Sequence, residues 1–268
     1  MNRWSAILPV IAIAAVTSAA AQESTEAKPP PASSSKWEWT IAPYIWGAGL
    51  SMDMQVNGDP AFGADASFSD LLDKLDVAVM LHFEARHQNL GMFTDALYVS
   101  VSDESTSGGN PPIPDGSQID ASLQMGIYEL GGFWRPGGKP TGFDLLFGAR
   151  LIDATPTIDV TFPGPFGQST SVEASKSYLD GFVGVRYGVP FAGRWNFAVR
   201  GDMGAGGTQF TWNAVAGFGV RFDKAGHYNL TGGYRYMNVD FGRSTDRGVD
   251  VTSTLSLSGP FLGPVFRF

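Results

Sequence analysis

From Tyr178 to Val189 the chain runs as two interleaved rows. One row, Leu179, Val183, Val185, Tyr187 and Val189, is apolar at every second position except Gly181, and the other reads Tyr178, Asp180, Phe182, Gly184, Arg186. Period-two alternation marks a strand with unlike faces, and it returns three times downstream. Trp195, Phe197, Val199 and Met203 alternate with Asn196, Arg200 and Asp202. Trp212, Ala214, Ala216, Phe218, Val220 and Phe222 alternate with Thr211, Asn213, Gly217, Gly219 and Arg221, and Tyr228, Leu230, Tyr234 and Tyr236 with Asn229, Thr231, Gly233 and Arg235. Charges keep to one row. A soluble β-sandwich or lipocalin-like barrel would turn the apolar row inward, whereas a transmembrane barrel turns it outward. Glycines beside the charges favour the second arrangement. Four strands carry Gly-x-Arg-apolar, at Gly148–Leu151, Gly184–Tyr187, Gly219–Phe222 and Gly233–Tyr236. In a narrow lumen the glycine leaves space into which a long neighbouring side chain folds.

The first residues point to export. Arg3 precedes the apolar run Ala6–Val16, and small residues follow, with Ala19 and Ala21 placed for a signal peptidase. The run is shorter than the ~20 residues a membrane span requires. Residues 1–21 therefore read as a signal peptide cut after Ala21, and 22–36 as a disordered Pro/Ser linker with three consecutive prolines. The chain has no Cys, which excludes a lipid anchor after the cut and any disulfide framework. Its net charge of -8 becomes one unit more negative without Arg3. An acidic chain is a poor partner for nucleic acid. Asp53, Asp59, Asp65, Asp70, Asp73, Asp76, Asp103, Glu104 and Asp115 fall mostly in stretches that read as solvated loops.

No apolar stretch beyond the signal is long enough for a membrane helix, so a membrane-embedded mature chain must consist of closed strands. Turn signals over 37–268 divide it into about ten strands, with eight or twelve as neighbouring counts, near 37–57, 76–88, 90–102, 117–134, 141–161, 171–190, 194–204, 209–222, 227–240 and 251–268. The expected fold is all-β, an antiparallel up-and-down transmembrane β-barrel. Connections at Gln88-Asn89, 135–140, 191–194 and 223–226 are short, and most others are longer. Short turns face the periplasm in such barrels, and an even strand count leaves both termini there. Phe133, Phe143, Tyr187, Trp195, Phe222, Tyr228, Phe266 and Phe268 lie close to the short turns or the C-terminus, as an aromatic girdle requires.

Lumenal arginines need carboxylates, because a buried unpaired charge is costly. Counting from the short turns sets Arg150, Asp180, Arg200, Asp202 and Arg235 at mid-height and Glu84, Arg86, Asp144 and Arg186 lower. Together with Arg221 these form the expected lumenal ion-pair network, in two layers. Asp95 and Glu129 resist the scheme. Asp95 has the parity of Phe93, Leu97, Val99 and Val101, and Glu129 that of Leu123, Met125 and Ile127, so both would face lipid unless a β-bulge turns them inward.

The terminus Gly263-Pro-Val-Phe266-Arg-Phe268 resembles the signal by which the barrel-assembly machinery recognises outer-membrane substrates. Trp39, Pro43–Trp46, Phe68–Leu72, Phe83–Arg86, Gly232–Tyr236 and Gly259–Phe268 are similar to a family of uncharacterised Gram-negative outer-membrane β-barrel proteins, over nearly the whole mature chain. The resemblance implies an outer-membrane location, with outer-membrane lipid and lipopolysaccharide as surroundings and the assembly machinery as a partner during biogenesis. It brings no catalytic residues and leaves the oligomeric state open.

Barrel enzymes of the outer membrane resemble one another in placing a His with Asp, Glu or Ser near the outer rim. His87 and His227 adjoin short turns, the wrong end. His82, with Glu84 two residues on, points to the lumen near mid-height, and no paired nucleophile accompanies it. No metal-spacing or nucleotide-loop motif is present, so neither metal nor cofactor is expected. In the first long loop, Ser69–Leu75 carries a capping Ser and the apolar set Leu71, Leu72, Leu75, consistent with one or two helical turns that form a lid or rest on the rim. The expected function is a non-enzymatic structural or surface-binding barrel with a filled lumen. A narrow porin-like channel for small, anionic solutes and a surface lipid- or peptide-modifying enzyme stay open as alternatives.

Overall fold

The computed structural model describes residues 36–108, 114–137, 142–163, 168–173, 175–246 and 249–268. The expected signal peptide and all of the linker but Lys36 lie outside the described residues. The first stave consists of three stretches, β1 (Glu38–Pro43), β2 (Ile45–Trp46) and β3 (Gly49–Val56). It is followed by β4 (Asp59–Ala66), α1 (Phe68–Leu72), β5 (Leu75–His87), β6 (Leu90–Thr106), β7 (Gln118–Trp134), β8 (Gly142–Thr161) and β9 (Ser169–Glu173). The remainder comprises β10 (Lys176–Phe191), β11 (Trp195–Gly206), β12 (Phe210–Arg221), β13 (Tyr228–Asp246) and β14 (Val249–Arg267).

All pairings are antiparallel, and the sheet closes on itself. β1 pairs with β5 along Glu38–Pro43 and with β14 at Thr40 and Ile41, while β2 and β3 continue against β14. The ring runs β1–β5–β6–β7–β8–β10–β11–β12–β13–β14 and back to β1, ten staves in all. Two short strands lie off the ring, β4 pairing with β3 and β9 with β8. The expected strand at 171–190 is accordingly two elements: residues 171–173 belong to β9, and the stave begins at Lys176.

At one end of the ring, the turn end, the chain reverses through left-handed residues at Gln88 (φ 55°), Ala192 (φ 46°) and Gly193 (φ 71°). The opposite, loop end carries the longer connections. Two exceptions are the tip between Gly206 and Phe210, three residues long, and the connection between Asp246 and Val249, two residues long. α1 starts two residues earlier than expected. Ser67, rather than Ser69, caps it in a capping box with Asp70, whose carboxyl the Ser67 hydroxyl and N–H hold below its ordinary pKa. The helix contacts β3 and buries none of its residues.

From β10 onward the ring turns its apolar rows outward. Leu179, Val183, Val185 and Tyr187 are exposed, while Asp180 and Phe182 of the intervening row are buried. Phe143, Tyr187, Trp195, Phe222, Tyr228 and Phe268 of the expected girdle are likewise exposed outward near the turn end. Phe133 is not: its ring is fully buried in the lumen. Asp95 and Glu129 also face inward, and no bulge brings them there. β6 and β7 stay in unbroken register from Leu90 to Thr106, with Asp95 opposite Glu129. Among the described residues the register shifts lie elsewhere, near Asp76, between Asp240 and Arg243, and between Met54 and Gln55. These corrections have one cause. Phe93, Leu97, Met125, Ile127 and Phe133 are interior residues, so on β6 and β7 the more apolar row fills the lumen.

The seam between β2 and β14 depends on close backbone approach. A Cβ at Gly259 would stand 1.9 Å from the Gly47 carbonyl oxygen, where the Gly47 N–H donates to Pro260 O at 2.8 Å. Real carbon–oxygen contacts never come so near, and both atoms are held by the ladder. Gly259→Val is expected to prevent closure, read as loss of the protease-resistant species on refolding into lipid vesicles. Gly181→Val, facing open space, should refold as the wild type.

Candidate functional site

The lumen is built in levels, starting from register. Asp95, Glu129, Arg150 and Asp180 stand side by side across β6, β7, β8 and β10. Two adjacent carboxylates on one face repel, and three guanidiniums converge to offset them. Arg150 Nε donates to Glu129 Oε1 at 2.9 Å and Nη1 to Thr211 Oγ1 at 3.2 Å, while Nη2 pairs with Asp202. Arg200 bridges the same two acids, at 2.8 Å to each of Asp202 and Glu129. Arg235 donates to Asn213 Oδ1 at 3.0 Å and to the Tyr44 hydroxyl at 3.2 Å, and lies 3.4 Å from Asp95 Oδ1. Tyr44 in turn donates to Asp95 at 2.9 Å.

A second level lies toward the turn end. Asp144 accepts from Arg135, at 2.5 and 2.8 Å, and from Arg186 at 2.9 Å, while Arg186 Nη1 reaches Glu84 Oε2 at 2.6 Å. His82 joins the levels, with Nδ1 at 3.2 Å from Asp95 and Nε2 at 3.8 Å from Glu84. Guanidinium planes rest on rings: Arg150 lies 5.0 Å from Phe182, Arg186 4.8 Å from Phe133, Arg200 5.2 Å from Phe93 and Arg235 4.8 Å from Trp46. The aromatic faces attract the cations in a water-poor interior. Five arginines thus meet five carboxylates in the two levels. Among the described residues Asn229 Oδ1 is the one buried side-chain polar atom without a hydrogen-bond partner, and it lies outside the network.

Three expected members stand apart. Asp180 lies opposite Arg150 in register but accepts from the Thr208 N–H at 2.9 Å and its hydroxyl at 2.6 Å. The three-residue tip between β11 and β12 drops to its height, while Arg150 is drawn away to Glu129 and Asp202. Arg221 donates to the Gly193 carbonyl at 2.7 Å, and Arg86 pairs with Glu38 below the network. Glu84, Asp144, Arg150, Arg186, Arg200, Asp202 and Arg235 come together. Asp95, Glu129, Arg135, Tyr44, His82 and Asn213 join them; of these His82 was expected in the lumen, and Asp95 and Glu129 there by way of a bulge, but none was counted in the network. One of these could have been read from the sequence. Counting back from the two-residue turn Gln88-Asn89 sets Asp95 opposite His82, and residues directly opposite share a face.

Above the ionic levels, toward the loop end, the lumen is packed with apolar side chains. Trp46, Leu97, Met125, Ile127, Ile152, Met237, Val239, Leu255 and Leu257 form one buried cluster. The rings of Tyr178 and Phe241, 4.8 Å apart, pack against it. A second cluster, Phe93, Phe133, Leu146 and Phe182, fills the β6–β10 side lower down. The opposite side has small residues there and is hollow. A recess of about 260 Å³ adjoins a chamber of about 780 Å³ at the turn end.

Chemically the lumen is braced and short of reactive groups. Both nitrogens of the His82 ring face carboxylates, Nδ1 that of Asp95 and Nε2 that of Glu84. Among the described residues no group of three His, Cys, Asp or Glu side chains is arranged to hold a metal.

No family model and no curated protein matches the sequence. Solved structures do. The outer-membrane protease OmpT from Escherichia coli superposes with a TM-score of 0.51 at 8% identity, over 90% of this chain and 99% of that one. The attachment invasion locus protein Ail of Yersinia pestis matches at a TM-score of 0.32 and 13% identity, covering 87% and 98% of the two chains. The toluene transporter TbuX of Ralstonia pickettii gives 0.32 and 11%, covering 87% and 89%. The chain has the fold of the outer-membrane β-barrels. At these identities the likeness extends to fold alone.

Proposed function

We propose that this chain is an integral protein of the Gram-negative outer membrane, exported by the signal peptide at 1–21, with its turns and both termini in the periplasm. The barrel is non-enzymatic and serves a structural or surface-binding role. One observation carries this reading: across the lumen a cross-braced level of arginines and carboxylates is backed by a buried apolar plug around Trp46 and Ile127. A lumen closed twice over does not conduct. In planar bilayers the purified protein is expected to show no sustained conductance in molar salt, and steady unitary currents would sink this reading.

A narrow anion channel is the second reading, favoured by the excess of arginine in the turn-end chamber. It requires the Trp46 cluster to open. Lipid and lipopolysaccharide surround the outward rows in either case. Gly263, Phe266 and Phe268 serve as the assembly signal: Phe266 packs edge-on against Tyr228 at 6.2 Å, and Phe268 N–H pairs with Trp39 O at 2.9 Å, so the terminal residues close the ring.

A further inference from the structure

The chamber at the turn end differs from the levels above it in its charge. Arg86, Arg135, Arg186, Arg221 and Arg267 line it, against the carboxylates of Glu38, Glu84 and Asp144. Those three acids are committed to Arg86, Arg135 and Arg186. Arg221 donates to a backbone carbonyl, and among the described residues no carboxylate lies within ion-pair distance of Arg221 or Arg267. Two guanidiniums with no carboxylate partner among the described residues, facing a chamber with low-dielectric walls, focus a positive potential in a chain whose net charge is -8.

The recess above has the opposite character. Ala42, Ala198, Val215, Gly217, Phe261 and Val265 form much of its wall, and its Tyr44, Asp95 and Arg235 are engaged with one another. Ala198 is exposed although it lies on the inward row with Asn196 and Arg200, so its exposure is to this hollow. Val265 stands one inward step above Arg267 on β14, and Gly217 two above Arg221 on β12. A long guanidinium side chain covers much of such a step.

We propose that chamber and recess together bind a small amphiphilic anion, a carboxylate or phosphate monoester with a short alkyl body, its head at Arg221 and Arg267 and its body in the recess beside Ala198. The head offsets charge that the protein leaves uncompensated. The body takes apolar surface out of water, at about threefold to fourfold tighter binding per buried methylene.

The test is isothermal titration of the protein in lipid nanodiscs, with empty nanodiscs subtracted, using acetate, butyrate and hexanoate, and inorganic phosphate against hexyl phosphate. Tightening along at least one series is expected, and the series that tightens identifies the head group. Arg221→Gln with Arg267→Gln should weaken every member of that series at least tenfold. Ala198→Leu should remove the chain-length dependence while leaving acetate or inorganic phosphate unchanged. Both variants are compared at wild-type thermal midpoint, and if the Arg267→Gln change disturbs assembly, Arg221→Gln alone is expected to weaken binding about threefold or more. Flat series, affinity indifferent to the arginine substitutions, or no binding at millimolar ligand would overturn the site.

Discussion

Arg150→Ala is expected to lower unfolding stability by about 3–5 kcal/mol, the range for breaking a buried ion pair from one side. Arg150 is fully buried, and its guanidinium is shared among Glu129, Asp202 and Thr211. Without it, Glu129 keeps Arg200 and the more distant Arg235, Asp202 keeps Arg200 and Asn213, and the Phe182 face loses its nearer guanidinium. Most of the loss comes from charges stranded without a partner rather than from the pair's own attraction. The double variant Arg150→Met with Glu129→Gln should therefore recover part of the loss, a coupling on the order of 1–3 kcal/mol. Urea unfolding from lipid vesicles, followed by Trp fluorescence, reads both values. A single-variant loss below about 1 kcal/mol would mean that water reaches the level and solvates the acids.

The outward face was legible in the sequence from β10 onward, because there the apolar row is the lipid row and charges mark the other. On β6 and β7 the same inference fails. Phe93, Leu97, Met125 and Ile127 are as apolar as any outward residue, yet they pack inside, and the rows opposite them carry Thr94, Ser100, Gln124 and Gly126. A closed lumen needs its own apolar filling, so hydrophobicity alone does not tell lipid from plug. Charge does: Asp95 and Glu129 carried the right orientation, and a supposed bulge explained it away. The partners within the network were less legible. Arg186 pairs with Asp144, its neighbour in register, but Arg200 reaches Glu129 across the bore, and no count along a strand gives that distance. Asp180 went to Thr208 because a hairpin tip is three residues long, a fact of turn geometry rather than of charge.

Trp46→Ala should turn a silent barrel into one with brief, irregular current steps. Trp46 belongs to the apolar plug, yet its ring lies 4.8 Å from the Arg235 guanidinium and its Nε1–H donates to Gly259 O at 3.2 Å. It is the side chain by which the plug covers the ionic level. Truncation removes the largest member of the cluster at a cost of about 3–5 kcal/mol, and the space it leaves borders a guanidinium and a freed backbone carbonyl. A cavity with such polar partners takes up water, whereas one lined by hydrocarbon stays dry. Leu257→Ala supplies the contrast. Leu257 is buried within the same cluster and makes no polar contact, so its removal should cost about 2–5 kcal/mol and leave the barrel silent. Bilayer recordings from the two variants therefore separate plug from brace. Current in Trp46→Ala alone places the barrier at the junction of the two levels, current in both places it in the plug, and silence in both places it in the arginine level beneath.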